Sequence, residues 1–261
     1  MNPTIKLEIK LAHVGSLGTY RRISLIGNID ACLATLAMKN VNYFNFYKSQ
    51  AVKGRFVILD SGLFESFLGT EQEKISQTKY LKMAIKMDAS EIVCPDSPNN
   101  SKETFLSTRE FIRLWKDYPS HRKPALMIAP HGQTSEEWME NLRSLIEIGN
   151  IQTVGIPRIV NSTITDLGPF PRVSLAKAIK KHRKDVYIHF LGAADNFLQE
   201  LALANKTGYV RSCDSTFILR YATARSDPLK SYAKPVLLRD NKKQSYGFWQ
   251  RVNQLKSYFQ N

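Results

Sequence analysis

The chain of 261 residues is poor in cysteine, with Cys32, Cys94 and Cys213 far apart and odd in number. Such a set implies no disulfide framework and suits a reducing cytosol. There is no C-x-x-C pair and no Cys/His cluster at zinc-ligand spacing, so a structural zinc site is not expected. No apolar run approaches the ~18–20 residues of a membrane span. The lysine-interrupted start, MNPTIKLEIK, has no apolar core of the kind a secretory signal needs. Low-complexity tracts, internal repeats and a clear linker are also missing. So are the glycine-rich loops that cradle nucleotide phosphates: no G-x-G-x-x-G follows a first strand and no G-x-x-x-x-G-K-S/T occurs. Acidic residues are few, 23 against 37 Lys+Arg, which leaves a net charge of +14. An excess of that size points to a polyanionic partner, most simply nucleic acid, or else to a basic enzyme with no such partner.

A composition 43% hydrophobic and 10% aromatic is that of a globular protein, and the length suits one domain over 1–261. Short, nearly continuous apolar runs mark strands at 56–60, 91–95, 125–130, 152–157, 186–192 and 209–214. Runs of this kind belong to strands buried on both faces of a parallel sheet. Between them, Tyr80, Met83, Ala84 and Met87 follow helical spacing, as do Trp138, Leu142, Leu145 and Ile146. Ser135, Ser174 and Asp195 stand where helix N-caps belong. The stretch 157–172 reads as a long loop. Strand–helix units in series predict an α/β fold, a (β/α)8 TIM-type barrel, with a doubly wound open sheet as the alternative.

What ends each strand is informative. The runs finish at Asp60-Ser61-Gly62, Asp96, His131-Gly132, Gly155 with Pro157, Leu191-Gly192, and Asp214. In a parallel barrel these ends open on the face where active sites sit. One aspartate after a strand is often only a helix cap; three in corresponding positions point to a site. Three carboxylates with a histidine suit either a metal centre at Asp60, Asp96 and His131 or glycosyl transfer. In the latter, one carboxylate attacks a sugar carbon while another handles protons. His131 reads as a residue at a pocket edge, and His189, inside a strand, as core.

The charge is uneven. Residues 1–60 carry net +5, 61–171 net −2, 172–219 net +4 and 220–261 net +7. The last segment interleaves Arg220, Arg225, Lys230, Lys234, Lys242 and Lys243 with Tyr221, Tyr232, Tyr246, Phe248 and Trp249. Cations that neutralise phosphates beside rings that stack on bases make 220–261 a candidate nucleic-acid-contacting segment. Lys180, Lys181, Arg183 and Lys184 are a second basic group, readable also as an exposed helix end.

The ordered set Asp60-Ser61-Gly62-Leu63-Phe64-Glu65, Asp96, His131-Gly132, Gly155-Ile156-Pro157, Leu191-Gly192 and Asp214 with Arg220 resembles the tRNA-guanine transglycosylase superfamily. That family places D-S-G-G-F/Y-Q, a strand-end Asp, a Q-G pair, a G-G-L-A segment, M-G-V-G and a D-C-x-x-P-x-R motif in this order on a (β/α)8 barrel. The resemblance covers roughly residues 56–220. It implies Asp214 as the nucleophile at the sugar C1′ and Asp60 as general acid/base. It implies Asp96 as the acceptor for a guanine N1–H and exocyclic amine, and Phe64 and Leu191 as the walls of a base sandwich. Ser61, Gly62, His131, Gly132, Gly155 and Gly192 would complete the substrate site, with Gly132 and Gly155 permitting close backbone approach. Leu63 replaces the second glycine of the first motif, His131 replaces a glutamine, and the zinc subdomain of the tRNA enzymes is absent. These departures suit the compact phage or bacterial branch that inserts a 7-deazaguanine (preQ0-type) base into DNA, without metal or other cofactor. The expected partners are then DNA, tRNA less so, and the free base, in a cytoplasm and with no membrane. Alternatives are a tRNA-guanine transglycosylase, a metal-dependent hydrolase or nuclease on the same barrel, and a non-catalytic nucleic-acid-binding protein.

Overall fold

A computed structural model describes residues 8–62, 75–193, 196–216, 249, 250 and 252. Eight strands alternate with helices: β1 (Lys10–His13), β2 (Asp30–Leu33), β3 (Val57–Asp60), β4 (Glu91–Val93), β5 (Ala125–Ile128), β6 (Ile151–Pro157), β7 (Tyr187–Leu191) and β8 (Ser212–Ser215). The hydrogen-bonded order runs β1-β8-β7-β6-β5-β4-β3-β2, and every pair is parallel. The remaining seam, between β1 and β2, is bridged just before β2. There Leu11 O accepts from Asn28 N at 2.8 Å and from Ile29 N at 3.3 Å. The sheet therefore curls into a nearly closed (β/α)8 TIM-type barrel, and the open-sheet alternative falls.

The helices are α1 (Tyr20–Ile23), α2 (Ala34–Lys39), α3 (Val41–Val52), α4 (Gln77–Met87), α5 (Ser101–Asp117), α6 (Ser135–Glu147), α7 (Val160–Thr163), α8 (Pro171–His182) and α9 (Phe197–Thr207). The helical spacings hold. On α4 the buried face is Tyr80, Leu81, Ala84 and Met87, and on α6 it is Trp138, Asn141, Leu142 and Leu145. Burying such faces against the strands supplies most of the drive to fold, on the order of 25 cal/mol per Å² of apolar surface. Tyr80 also brings its hydroxyl to 2.9 Å from the carbonyls of both Leu59 and Val93, where β3 and β4 end.

Several boundaries differ from the sequence reading. β4 and β5 stop two residues short, before Pro95 and Pro130, which have no N–H to give a ladder. Thr134, not Ser135, caps α6, accepting from Glu137 N at 3.2 Å. Ser174 lies inside α8, which begins on Pro171 at its first turn, and its hydroxyl donates to Leu167 O. The stretch 157–172 holds α7 and the start of α8. Asp195 lies outside the described residues. Among the described residues no helix is long and apolar enough to cross a membrane.

Candidate active site

Asp60, the last residue of β3, is half-buried. Its Oδ1 accepts from Ser61 Oγ at 3.3 Å and from Gly62 N at 3.1 Å. Gly62 turns that amide inward with φ +75°, and a Cβ there would lie 2.5 Å from Thr35 Oγ1 at the start of α2. A larger residue there would strain the turn and press on Thr35. Burial first, then the negative charge of Asp214, pushes the Asp60 carboxyl up from 3.8 to about 7. The Gly62 and Ser61 hydrogen bonds oppose that rise, and Asp96 adds to it.

Asp214, in β8, sits at the mouth with its side chain 19% exposed. Its Oδ1 accepts from Gly192 N at 2.9 Å and lies 3.1 Å from His189 Nε2. Gly192 repeats the device of Gly62: φ is +75°, and its amide is turned onto an acid while the Arg158 side chain covers its Cα. Gly192 is in turn anchored from behind. Arg172, fully buried in α8, donates to Gly192 O at 2.8 Å and pairs with buried Glu200 of α9, Nε to Oε1 at 2.9 Å. Its guanidinium also lies over the Phe190 ring, 4.6 Å from the centroid.

Asp96 follows β4, 20% exposed, with Oδ2 2.7 Å from Nε2 of the buried His131. Asn99 N donates to the other ring nitrogen at 3.4 Å, which leaves the Nε2 proton to donate to the carboxylate. The loop carrying Asp96 is tied down where Ser97 N donates to Thr104 Oγ1 at 2.9 Å.

The acids from β3, β4 and β8 thus come to one end of the barrel, close enough for Asp60 to be shifted by both of the others. Ser61, Gly62, His131, Leu191 and Gly192 stand beside them. Gly132 has a different neighbour from the one expected: its Cβ position is 2.4 Å from Trp138 N, so the missing side chain lets α6 approach. At Gly155 the close approach is made by Leu191 Cδ1, 2.6 Å from the Cβ position, with Met127 Sδ behind it at 3.0 Å. Phe64 and the basic residues Arg220, Arg225, Lys230, Lys234, Lys242 and Lys243 lie outside the described residues. Trp249, counted among the rings that could stack on bases, packs on the barrel with the Arg22 guanidinium 4.7 Å from its centroid. Lys180–Lys184 sit at the N-terminal end of β7, opposite the acids. There Lys180 Nζ donates to Lys184 O at 3.1 Å, and Arg183 pairs with Asp185. The group lies at the C-terminal end of α8, as the helix-end reading expects.

The sequence reading missed His189 as part of the site. His13 ends β1 in register with Ser215, fully buried, and burial holds its imidazole down at about 3. The signal for His189 was its spacing, two residues before Leu191 and so on the same strand face. Among the described residues no three His, Cys, Asp or Glu side chains form a group that could hold a metal ion. The three cysteines are buried free thiols. No family model matches the chain, and no curated protein matches it in sequence.

Proposed function

We propose that the protein is a transglycosylase that exchanges guanine in DNA for a 7-deazaguanine base through a covalent aspartyl-glycosyl intermediate. The observation that carries this reading is the pair of unlike carboxyl groups at the barrel mouth. Asp60 is poised at about 7 beside Asp214, whose Oδ1 accepts from the Gly192 amide and lies 3.1 Å from His189 Nε2. Two carboxyl groups of different character are what displacement at a sugar carbon needs, one to attack and one to carry a proton. The motif order supports guanine as the base.

In the first half-reaction an Asp214 oxygen bonds to C1′ as the C1′–N9 bond breaks. The bonding pair passes to the base, and Asp60 supplies the proton that guanine takes. In the second, Asp60 takes a proton from the 7-deazaguanine, its N9 bonds to C1′, and the Asp214 carboxylate leaves. Two displacements retain configuration. A group at about 7 can give and regain a proton at neutral pH, as both halves require. Asp96 is held by His131 on Oδ2, and no bond from a described residue reaches Oδ1, which is offered to the donor edge of the base. A base in duplex DNA must leave the stack to reach such a mouth, at a cost of a few kcal/mol. The excess positive charge flanking the acidic stretch 61–171 offsets part of that cost by holding phosphates.

The test is release of labelled guanine from DNA in the presence of a 7-deazaguanine. Wild type releases label and, without added base, leaves a protein–DNA adduct on a denaturing gel. Retained exchange in Asp214→Ala overturns the assignment. Activity that a chelator abolishes favours the metal-dependent hydrolase instead.

A further inference from the structure

A continuous chain of hydrogen bonds runs through the barrel interior from its N-terminal end to Asp214. It starts with Glu91 of β4, whose Oε2 lies 2.7 Å from Arg211 Nη2, and with Thr153 of β6, which accepts from Arg211 Nη1 at 3.3 Å. These strands are not neighbours, so such contacts exist only inside the barrel. Arg211 Nε donates to Ser212 Oγ at 3.1 Å, Ser212 Oγ lies 2.8 Å from His189 Nδ1, and His189 Nε2 lies 3.1 Å from Asp214 Oδ1. Glu91, Thr153, Ser212 and His189 are all fully buried.

We propose that His189 is a positioning residue for the nucleophile, set by this chain in the Nε2–H tautomer. Donor and acceptor roles follow from the far end. A guanidinium only donates, so Ser212 Oγ accepts from Arg211. Of the two directions left to the Ser212–His189 bond, the one in which the hydroxyl donates makes Nδ1 an acceptor and puts the ring proton on Nε2 facing Asp214. The other tautomer would set a ring lone pair against a carboxylate oxygen. With the Gly192 amide, His189 Nε2–H occupies Oδ1 and fixes the carboxylate plane; no bond from a described residue reaches Oδ2, which is left as the attacking oxygen. Held this way, the nucleophile loses little orientational freedom on reaching the transition state. This role rests on the transglycosylase reading; the tautomer does not.

The experiment has two arms. In the first, the free protein is labelled with ¹⁵N-histidine and its ring nitrogens are read by NMR at neutral pH, with His189 assigned by loss of its signals in His189→Gln. The expected pattern is a protonated Nε2 and an acceptor Nδ1, with Ser212→Ala shifting the Nδ1 signal. A protonated Nδ1, alone or with Nε2, overturns the tautomer. In the second arm, exchange kinetics are compared for His189→Leu and His189→Gln, the latter carrying an N–H that can reach Asp214. Leucine lowers kcat by about ten- to a hundredfold, the scale of loss when a reacting group is misplaced, with KM for DNA unchanged. Glutamine recovers most of the rate. Equal impairment of the two variants, or none in leucine, overturns the positioning role. Absence of exchange in wild type fails the transglycosylase reading and the positioning role with it, while the spectra still decide the tautomer.

Discussion

At the N-terminal end of the barrel, Glu91 lies 2.7 Å from Arg211, and Asp30 is gripped by Arg55 at 2.7 and 3.0 Å. At the C-terminal end, Asp60, Asp96 and Asp214 gather with no lysine or arginine bridging any of them among the described residues. They have imidazoles and glycine amides instead. The nearest buried guanidinium, Arg172, is one step back, spending its charge on Glu200 and on the carbonyl of Gly192. The difference separates two uses of buried charge. Paired ions at one end keep the strands in register; crowded like charges at the other are tolerated at a cost in stability and leave Asp60 poised near neutrality. If that division is right, substitutions at the two ends have opposite signatures.

The largest effect is expected at the mouth. Asp214→Asn lowers base exchange by at least about 1,000-fold, the usual consequence of removing a nucleophile. It leaves denaturation by urea at pH 8 unchanged or shifted to higher urea, since Asp60 loses a repulsive neighbour. Arg55→Met gives the reverse. It strands the buried Asp30, whose carboxyl burial already pushes up against the pull of Arg55, and it frees the carbonyls of Ser24 and Gly27. The expected loss is about 3 kcal/mol in urea denaturation at pH 8, with exchange per folded molecule unchanged. The loss shrinks in acid, where Asp30 takes up a proton. A stability loss at Asp214 matching that at Arg55 would erase the contrast between the ends.

Next in size is Asp60→Asn. The wild-type carboxyl ionises at 3.8 in the unfolded chain and at about 7 in the fold. Between these values the folded state holds the extra proton, so wild-type stability falls as pH rises through that window and the whole penalty is present above pH 7. A neutral amide carries no such penalty and still accepts from Gly62. The variant is therefore more stable than wild type at pH 8, by about 2 kcal/mol after screening at this half-buried position. The gain vanishes by about pH 4. Thermal melts across that range check both the sign and the window. On the proposed reading, wild type is expected to show a rate maximum near pH 7 in exchange assays, and the variant to lose it.

These acids were legible in the sequence because each ends an apolar run, and parallel strands in a barrel must end on one face. Six strands could be read for the same reason, while β1 and β2 could not. Lys10 and Asp30 interrupt their apolar character, and Cys32 and Leu33 run straight into the helix-forming ATLAMK of α2. The cap of α6 was misplaced by one residue because Thr134 and Ser135 are adjacent hydroxyls, and only backbone angles separate them. β8 begins later than its apolar run suggests, since α9 runs to Thr207 and Gly208 ends it in the left-handed region. The larger gap concerns partners. Periodicity puts His189 on the same strand face as Leu191, but its bond to Asp214 joins residues 25 apart on two strands. The same holds for Arg172 and Glu200, two charges with no local reason to be buried. Spacing along the chain fixes a face and leaves open which side chains meet across it.

The smallest effect tests how finely the mouth is graded. Asp60 is raised by burial first, by Asp214 next, and by Asp96 less than by either. Asp96→Asn should therefore bring the Asp60 titration down toward the ordinary carboxylate range, but by less than Asp214→Asn does. Both shifts are readable from carboxyl ¹³C resonances during a pH titration of the free protein, with no substrate present. The ordering follows from position. Asp96 stands beyond the end of β4 and is bound to His131, whereas Asp214 lies within β8 in the barrel wall itself. An equal shift from the two variants would mean that the three acids act as one undifferentiated cluster. A larger shift from Asp96→Asn would move the partner of Asp60 from β8 to β4, and with it the proposed division of labour between an attacking carboxylate and one that reads the base.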